Sequence, residues 1–325
     1  MSKKNFLKPE LIATTKRANT VETLHYGWIC VINKEKKVIY KRGRISDQIF
    51  LRSSAKPIQA IPVINYDINI TPKELAIICG SHSGSKLHIN LLTNFMKKHK
   101  FQVSNLKCGA HLPFDEKEKT RLVKKNISPN PLHNNCSGKH LGMLAVCKKN
   151  KWDLKSYLNP NHPIQKNILK KIKELSGTKN ISIAVDGCGV PTFSLPVINI
   201  AKMFSSFTHP KNKRYLKIIS AISKNPFYLG SNNQIDTEII KASKGKLIAK
   251  VGAEGIIIIA SKGNCIVVKI ADGSPKIRSI VALKLLIRFN WLKKSQIKNL
   301  FLREILKGEI RNHVSKVVGK IVTCF

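Results

Sequence analysis

Residues 246–270 read KLIAKVGAEGIIIIASKGNCIVVKI and contain three apolar runs separated by turns that contain glycine. The runs Lys246 to Val251, Gly255 to Ala260 and Cys265 to Ile270 are short and rich in β-branched residues, which is typical of strands. Strands that follow one another through such short turns pair antiparallel. The segment therefore predicts part of an antiparallel sheet.

A second group of strands is predicted near the start of the chain, because residues 25–41 alternate apolar and polar positions around Asn33-Lys34-Glu35, as a β-hairpin does. Between the two groups the apolar spacing is helical, as it is again in residues 278–291 and 295–307. Two of the inner helices are marked by Leu87, Leu91, Leu92, Phe95 and Met96, and by Ile164, Ile168, Ile172 and Leu175 before Gly177. A short β-rich run, Ile181 to Val185, precedes a glycine-rich turn. Strands at both ends with helices between them predict an α+β fold with a largely antiparallel sheet covered by helices.

Length and composition indicate one folded domain over residues 1–325, within which residues of about 85–245 could form a helical subdomain. The chain has 325 residues and an apolar fraction of 42%. Met1 to Pro9 carries no apolar run behind its charges, and stretches such as Ile256 to Ala260 are too short to cross a bilayer. The eight cysteines form no Cys-x-x-Cys pair, so reduced thiols are expected. These features predict a cytoplasmic protein that does not bind membranes.

The formal charge of +40 invites the hypothesis of nucleic-acid binding. The composition argues against it, since 48 lysines stand against 10 arginines, and arginine is favoured for bidentate phosphate and base contacts. The lysines are also spread over nearly every polar segment, and aromatic residues make up 6%. A lysine-solvated surface explains the charge better, and nucleic-acid binding is the less favoured alternative.

Residues 52–57, RSSAKP, contain a Ser-x-x-Lys spacing, which places a hydroxyl and an amine on one face of a helical turn. A neutral Lys56 at that position could accept the Ser53 proton as the serine attacks a carbonyl carbon. The spacing alone is weak, because it recurs at Ser83, Ser104, Ser176, Ser243 and Ser295. Lys250, in the turn between two predicted strands, would favour the neutral form of Lys56 if its ammonium lay nearby.

The octapeptide His133–His140, HNNCSGKH, combines imidazoles, amides, a thiol and an amine in one turn-forming stretch. A helix is predicted to start after it near Ser137 or Gly138, so these groups would converge at a helix N-terminus. Further small-residue turns lie at residues 80–84, 108–113 and 186–191. Spacing by itself identifies no metal site among their cysteines.

Taken together, six motifs in this order closely resemble those of the asparaginase II family, the Rhizobium etli inducible type of L-asparaginase. The match extends over residues of about 20–320. The motifs are RSSAKPIQA (52–60), SHSG (81–84), CGAHLP (108–113), HNNCSGKH (133–140), DGCGVPT (186–192) and KVGAEG (250–255).

The resemblance implies a fold similar to serine β-lactamases and penicillin-binding proteins, and a homodimer that hydrolyses L-asparagine to L-aspartate and ammonia. By matching, Ser53 is the expected nucleophile and Lys56 its base, and Ser83 with Lys250 is the expected second Ser-Lys pair. Ser83 is preferred over Ser81 in that pair. The matched zinc ligands are Cys136, Lys139 and Cys188, with water completing the coordination. The matched substrate contacts are Arg52, Asn135, His140 and Asp186.

Two alternatives stay open at this level. The same fold could act on another amide, a β-lactam or a peptide, or the chain could bind nucleic acid with vestigial catalytic motifs. Ammonia release from L-asparagine distinguishes the asparaginase from both.

Overall fold

The three strands predicted at residues 246–270 form one side of a large antiparallel sheet. The structure, a computed structural model, describes residues 6–325. The expectation for the first five residues of the N-terminus lies outside the described part. The strands are β1 (Glu10–Arg17), β2 (Thr20–Ile32), β3 (Val38–Arg42), β4 (Gln48–Phe50), β5 (Ser182–Val185), β6 (Pro191–Pro196), β7 (Ile248–Gly252), β8 (Ile256–Ser261), β9 (Asn264–Ile270), β10 (Glu309–Arg311) and β11 (Val317–Thr323).

The large sheet has the order β10-β11-β1-β2-β9-β8-β7, and β3 also pairs with β2. Strand β2 is long enough to pair with several strands. Its first part pairs with β1, and its last four residues pair with β3. The remaining edge of β2 pairs with β9. The predicted hairpin and the predicted C-terminal strands therefore meet in the middle of one antiparallel sheet, which confirms the expected fold class.

The helices lie between and around these strands. They are α1 (Lys56–Gln59), α2 (Ile61–Asn65), α3 (Pro72–Ile78), α4 (Lys86–His99), α5 (Glu116–Lys124), α6 (Ser137–Lys149), α7 (Pro163–Ser176), α8 (Val197–Thr208), α9 (Leu216–Lys224), α10 (Pro226–Leu229), α11 (Ile235–Ala242), α12 (Pro275–Arg288) and α13 (Leu300–Lys307). Helix α7 shows the predicted end signal, since Gly177 follows it in the left-handed conformation at φ 66°. Helix α6 begins at Ser137, as the sequence predicts.

Helices cover both faces of the sheet at its centre. Both α8 and α12 pack on β8 and β9. Because each face is covered, the run from Ile256 to Ala260 is buried without alternation. Removing an isoleucine side chain from water contributes roughly 1.5–3 kcal/mol, so this run is a major part of the core.

Two sequence expectations at the C-terminal end were wrong in detail. The predicted helix over residues 295–307 begins at Leu300, because the Asn299 side chain accepts a hydrogen bond from the Leu302 N–H and caps the helix there. Strands β10 and β11 were not predicted. Of their ten residues only Ile321 is buried, so these two strands carry no buried apolar run of the kind that marks β8 and β9.

A smaller sheet of order β4-β6-β5 stands beside the large one and includes the run predicted at residues 181–185. It is tied to the segment after β4 by a hydrogen bond from the Leu51 N–H to the Phe193 carbonyl, at 2.9 Å. The turn at residues 186–190 is thereby held next to residues 52–56. Among residues 6–325, no helix has both the length and the apolar character that a membrane span requires.

Candidate active site

The RSSAKP segment forms a tight turn at the edge of both sheets. Residues Arg52–Ala55 form a turn of 3-10 helix, and Lys56 opens α1 with its N–H bonded to the Ser53 carbonyl. Ser53 is half-buried, whereas Lys56 is fully buried. Ser53 and Lys56 therefore lie one helical turn apart, with the serine nearer to solvent.

Strand β7 approaches this turn so closely that a glycine is required. A Cβ atom at Gly252 would lie 2.8 Å from the Leu51 carbonyl oxygen and 3.1 Å from the Ser54 nitrogen. The left-handed backbone of Arg52, at φ 49°, is a second constraint, because a residue with a Cβ atom adopts it at an energetic cost. The packing of β7 against the turn fixes where Ser53 and Lys56 point.

The Lys56 amine lies among oxygen acceptors. Its Nζ donates to the Gly80 carbonyl at 2.5 Å, to Ser81 Oγ at 2.9 Å and to the Asn135 carbonyl at 3.3 Å. Lys56 also lowers the pKa of Cys136 through its charge. Three of the six motifs thus meet at one buried amine.

In the SHSG loop, Ser81 rather than Ser83 makes the contact with Lys56. The Ser83 N–H donates to the Gly230 carbonyl at 3.0 Å, while its buried Oγ has no hydrogen-bond partner within residues 6–325. Between the two serines, His82 Nε2 contacts Ser137 Oγ at 2.8 Å. The histidine therefore holds the loop against the start of α6.

Lys250 is a second buried lysine, carried by β7. Its Nζ lies 3.3 Å from Asp236 Oδ2 and 2.9 Å from the Val251 carbonyl oxygen. Burial lowers the pKa of Lys250 to about 8, with Lys56 adding to the effect and Asp236 opposing it. The structure shows no hydrogen bond from Lys250 Nζ to Ser81 or Ser83 in the described chain.

The octapeptide forms the inner wall of the site, where Asn134 holds it in place. Its side chain donates to the Cys108 carbonyl at 2.8 Å and accepts from the Cys136 N–H at 2.8 Å. Helix α6 then packs directly on α3, since a Cβ atom at Gly138 would lie 2.6 Å from the Ile77 carbonyl oxygen. The glycine allows the first turn of α6 to reach the site.

The three matched zinc ligands come together at this wall. Lys139 Nζ lies 3.1 Å from Cys188 Sγ, and both side chains interact electrostatically with Cys136. The interaction with Cys188 lowers the pKa of Cys136, helped by Lys56 and Lys139 and opposed by burial. The same interaction and burial raise the pKa of Cys188. The pKa values of the two thiols are therefore shifted in opposite directions.

This donor set suits a soft divalent ion. Two sulfur atoms and one amine are ligand types that zinc accepts, provided that the thiol and the lysine lose their protons. Residues 6–325 contain no group of three or more His, Cys, Asp or Glu side chains placed to hold a metal. The fit therefore depends on Lys139 as the third ligand.

The His140 ring is buried, and a hydrogen bond with a tyrosine hydroxyl orients it. Its Nδ1 lies 2.6 Å from Tyr157 Oη, and the same hydroxyl accepts from the Lys107 N–H at 3.0 Å. Burial, Lys139 and Lys56 lower the pKa of His140, so the ring is neutral. If Tyr157 donates its proton to Nδ1, the unpartnered Nε2 carries the hydrogen and is a donor.

The two candidate anchors for a charged substrate are paired with each other. Arg52 Nε donates to Asp186 Oδ1 at 2.8 Å, and Arg52 Nη1 lies 3.8 Å from Glu254 Oε1. Burial raises the pKa of Asp186, but Lys139, Arg52 and the Gly187 N–H outweigh it and lower that pKa overall. The pair presents a guanidinium and a carboxylate side by side.

Direct contacts join Lys56 to Asn135, Lys139 to Cys188 and Arg52 to Asp186, but several partners of the residues named from the sequence were missed. Tyr157 and Asp236 belong to no motif, and nothing local in the sequence separates them from an ordinary core tyrosine or helix aspartate. Glu254 stood in the KVGAEG motif without an assigned role. Only the contacts across the fold reveal them.

The comparisons with known proteins agree with the motif prediction at the level of the family. The family model described as L-asparaginase II matches residues 13–323. No curated protein matches the chain.

Two solved structures align with most of the chain at low identity. A β-lactamase from Mycobacterium bovis is 12% identical, with a TM-score of 0.41, over 81% of this chain and 94% of its own. A mutant of simvastatin synthase from Aspergillus terreus is 10% identical, with a TM-score of 0.36, over 87% of this chain and 93% of its own.

Because the family match spans nearly the whole chain, it includes every motif that meets at the buried Lys56. The match supports a hydrolase that acts on amides. The chain belongs to the L-asparaginase II family.

Proposed function

We propose that the protein is an L-asparaginase that works through an acyl-enzyme on Ser53. The observation that carries the proposal is the buried Lys56 amine, one helical turn from Ser53 and in contact with Ser81 Oγ at 2.9 Å. A serine one helical turn from a buried amine, which a second hydroxyl contacts in turn, is the arrangement that we expect of a Ser-Lys hydrolase.

In the first step, neutral Lys56 Nζ accepts the Ser53 proton while Ser53 Oγ bonds to the side-chain amide carbon of asparagine. The resulting oxyanion intermediate collapses as the carbon–nitrogen bond breaks, and Lys56 Nζ passes the proton to the leaving nitrogen, which departs as ammonia. In the second step, water attacks the β-aspartyl ester, gives its proton to Lys56 Nζ, and Lys56 returns a proton to Ser53 Oγ as the ester bond breaks. The products are L-aspartate and free enzyme.

The substrate's charged ends are assigned to the Arg52–Asp186 pair. The guanidinium faces the α-carboxylate and the carboxylate faces the α-ammonium, so both charges of the amino acid are matched. Asn135 and His140 Nε2 are proposed as further hydrogen-bonding contacts. Glutamine anchored at the same points would place its amide carbon one methylene away from Ser53 Oγ, which favours asparagine.

We also propose that Cys136, Lys139 and Cys188 bind zinc. A bound zinc ion would supply fixed positive charge and hold the first turn of α6 against the 186–190 turn. Ser53 and Lys56 carry the bond-breaking steps of the proposed reaction.

Purified protein is expected to contain about one zinc per chain, and Cys136→Ser is expected to lower the metal content at least about 10-fold. Metal analysis of the purified protein measures this without reference to activity. Cys147→Ser is the matched control, because Cys147 lies on the same helix and is buried away from the cluster. Equal zinc content in both variants would remove the assignment.

The two serines of the SHSG loop make different contacts, and their variants should differ. Ser81→Ala removes the hydroxyl at Lys56 and is expected to lower kcat about 100-fold. Ser83→Ala removes a hydroxyl without a partner in the described structure and is expected to have a smaller effect. Steady-state ammonia release compares the two, and a larger loss in Ser83→Ala would support Ser83 as the relay residue.

We further propose that the enzyme acts in the cytoplasm as a homodimer. All eight cysteines are free in the structure, in keeping with a reducing compartment. Light scattering of the purified protein tests the dimer.

The function itself is tested by assaying ammonia release from L-asparagine, with L-glutamine, simple amides and a β-lactam as competitors. A clear preference for L-asparagine is the expected result. A preference for an amide without an α-amino acid head group would instead favour a serine hydrolase with another substrate.

A further inference from the structure

Asp236 is a buried carboxylate that the proposed reaction does not use. It lies in the first turn of α11 and is 1% exposed. Its Oδ2 lies 3.3 Å from Lys250 Nζ and accepts from the Val251 N–H at 3.1 Å. Its Oδ1 accepts from the Thr237 N–H at 2.9 Å. The carboxylate therefore holds both the side chain and the backbone of β7 at the point where the strand passes the site.

Lys250 depends on this contact. Asp236 is the sole carboxylate within ion-pair distance of Lys250 among residues 6–325. The other acceptor for its ammonium is the Val251 carbonyl oxygen. A fully buried ammonium without a counter-charge is strongly disfavoured, so Asp236 sets both the place and the charge of Lys250.

The charges around Lys250 explain why its pairing with Asp236 matters for the candidate active site. Lys56 and Cys136 interact electrostatically with Lys250, and Cys79 at the end of α3 interacts electrostatically with both lysines. Arg278 on α12 interacts electrostatically with Asp236 from behind, and its Nε has no hydrogen-bond partner in the described chain. Asp236 therefore carries a negative charge that interacts with both Lys250 and Arg278.

If the Asp236–Lys250 ion pair served only to stabilise the fold, we would not expect it beside the candidate active site. Buried ion pairs seldom stabilise a fold more than apolar residues would, so their presence beside a candidate active site calls for another reason. Glu238 shows the structural alternative on the same helix. It is 2% exposed and contacts Lys241 at 3.0 Å and Asn299 at 3.1 Å, away from the site.

We propose that Asp236 is a positioning residue for the reaction, which acts by holding the Lys250 ammonium charged and directed along the inner wall beside Lys56. The inference rests on the proposed Ser53–Lys56 chemistry. Asp236 touches neither substrate nor nucleophile, and its whole effect passes through Lys250.

The test compares Asp236→Asn with Glu238→Gln, each of which neutralises one buried carboxylate of α11. For Asp236→Asn we expect kcat to fall about 10–100-fold at neutral pH with KM changed less than about 3-fold. The alkaline limb of kcat should also move to lower pH, because loss of the carboxylate lowers the pKa of Lys250 below its present value of about 8. Glu238→Gln should leave the pH profile in place. Asp236→Glu keeps the negative charge, so its alkaline limb of kcat should lie closer to that of the parent protein than the limb of Asp236→Asn does.

A double-mutant cycle keeps the proposal testable if Asp236→Asn folds poorly. Lys250→Met removes the buried cation, so Asp236→Asn in that background leaves no unpaired ammonium at this position. If Asp236 acts through Lys250, adding Asp236→Asn to Lys250→Met should change kcat less than about 3-fold. An additive loss in the double variant, or an unshifted pH profile in a folded Asp236→Asn, would overturn the proposal.

Labelling of Ser53 by an alkyl fluorophosphonate separates this inference from the asparaginase assignment. If asparagine is not hydrolysed but the pH dependence of labelling shifts in Asp236→Asn, the substrate is wrong and the positioning role stands. If asparagine is hydrolysed and neither pH profile shifts, the positioning role alone fails. If the label does not react with Ser53 and asparagine is not hydrolysed, both the asparaginase assignment and the positioning role of Asp236 are rejected.

Discussion

Ser53→Ala is expected to lower kcat for ammonia release from L-asparagine by at least about 1,000-fold. Without Ser53 Oγ no ester can form, and the remaining anchors only bind the substrate. KM should change little, because Arg52 and Asp186 are untouched. The measurement is steady-state ammonia release, and mass spectrometry of a quenched reaction should show no covalent adduct.

The neighbouring serine provides a close control for this variant. Ser54 is fully buried, and its Oγ donates to the Leu51 carbonyl at 2.6 Å rather than facing the site. Ser54→Ala should cost about 1 kcal/mol of stability and leave kcat within about 3-fold of the parent. If Ser54→Ala abolished the reaction and Ser53→Ala did not, the nucleophile would have to be reassigned within the same turn.

Lys56→Met is expected to have the second largest effect, again a loss of at least about 1,000-fold in kcat. Methionine has a similar length but cannot accept the Ser53 proton. Lys56→Arg should be equally inactive, because a guanidinium does not lose its proton in a protein. Activity and thermal unfolding are measured on the same samples, so that loss of the base is separated from loss of the fold.

A lysine outside the site shows what removal of an ammonium does by itself. Lys284 is half-buried on α12, where its Nζ contacts Thr323 Oγ1 at 3.2 Å. Lys284→Met should retain kcat within about 2-fold, as expected for a substitution away from the reacting groups. Substantial activity in Lys56→Arg would contradict the base assignment, since that variant cannot supply a neutral amine.

The sheet was predictable because its strongest strands carry a local signal. The runs around Ile256 and Val267 are continuous and apolar, which happens when helices cover both faces of a strand. Strands β10 and β11 have one weakly covered face and were missed for that reason. The start of α13 was misplaced because its N-cap, Asn299, acts through a side-chain hydrogen bond that apolar periodicity does not show.

The candidate site was predictable to the extent that its residues lie in compact motifs. Each motif places several chemically useful groups within one turn, and the order of the six motifs, through their resemblance to a family, named Ser53, Lys56 and Cys136. Their partners could not be named in this way, because Tyr157 and Asp236 reach the site from irregular or α-helical segments with no motif of their own. The choice between the two serines of the SHSG loop likewise depends on which hydroxyl the loop turns toward Lys56.

Fold class and family follow from the amino-acid sequence alone, and so does the prediction of the reactive groups, because apolar periodicity and the order of motifs are local properties. Which of those groups touch is a property of the folded chain. Folding brings Lys56 to Ser81, pairs Arg52 with Asp186 and gives Lys250 its counter-charge in Asp236. These contacts join residues far apart in the chain, and burial makes each of them strong. Their geometry therefore follows from how β7, α6 and α11 pack around the RSSAKP turn, which no single segment specifies.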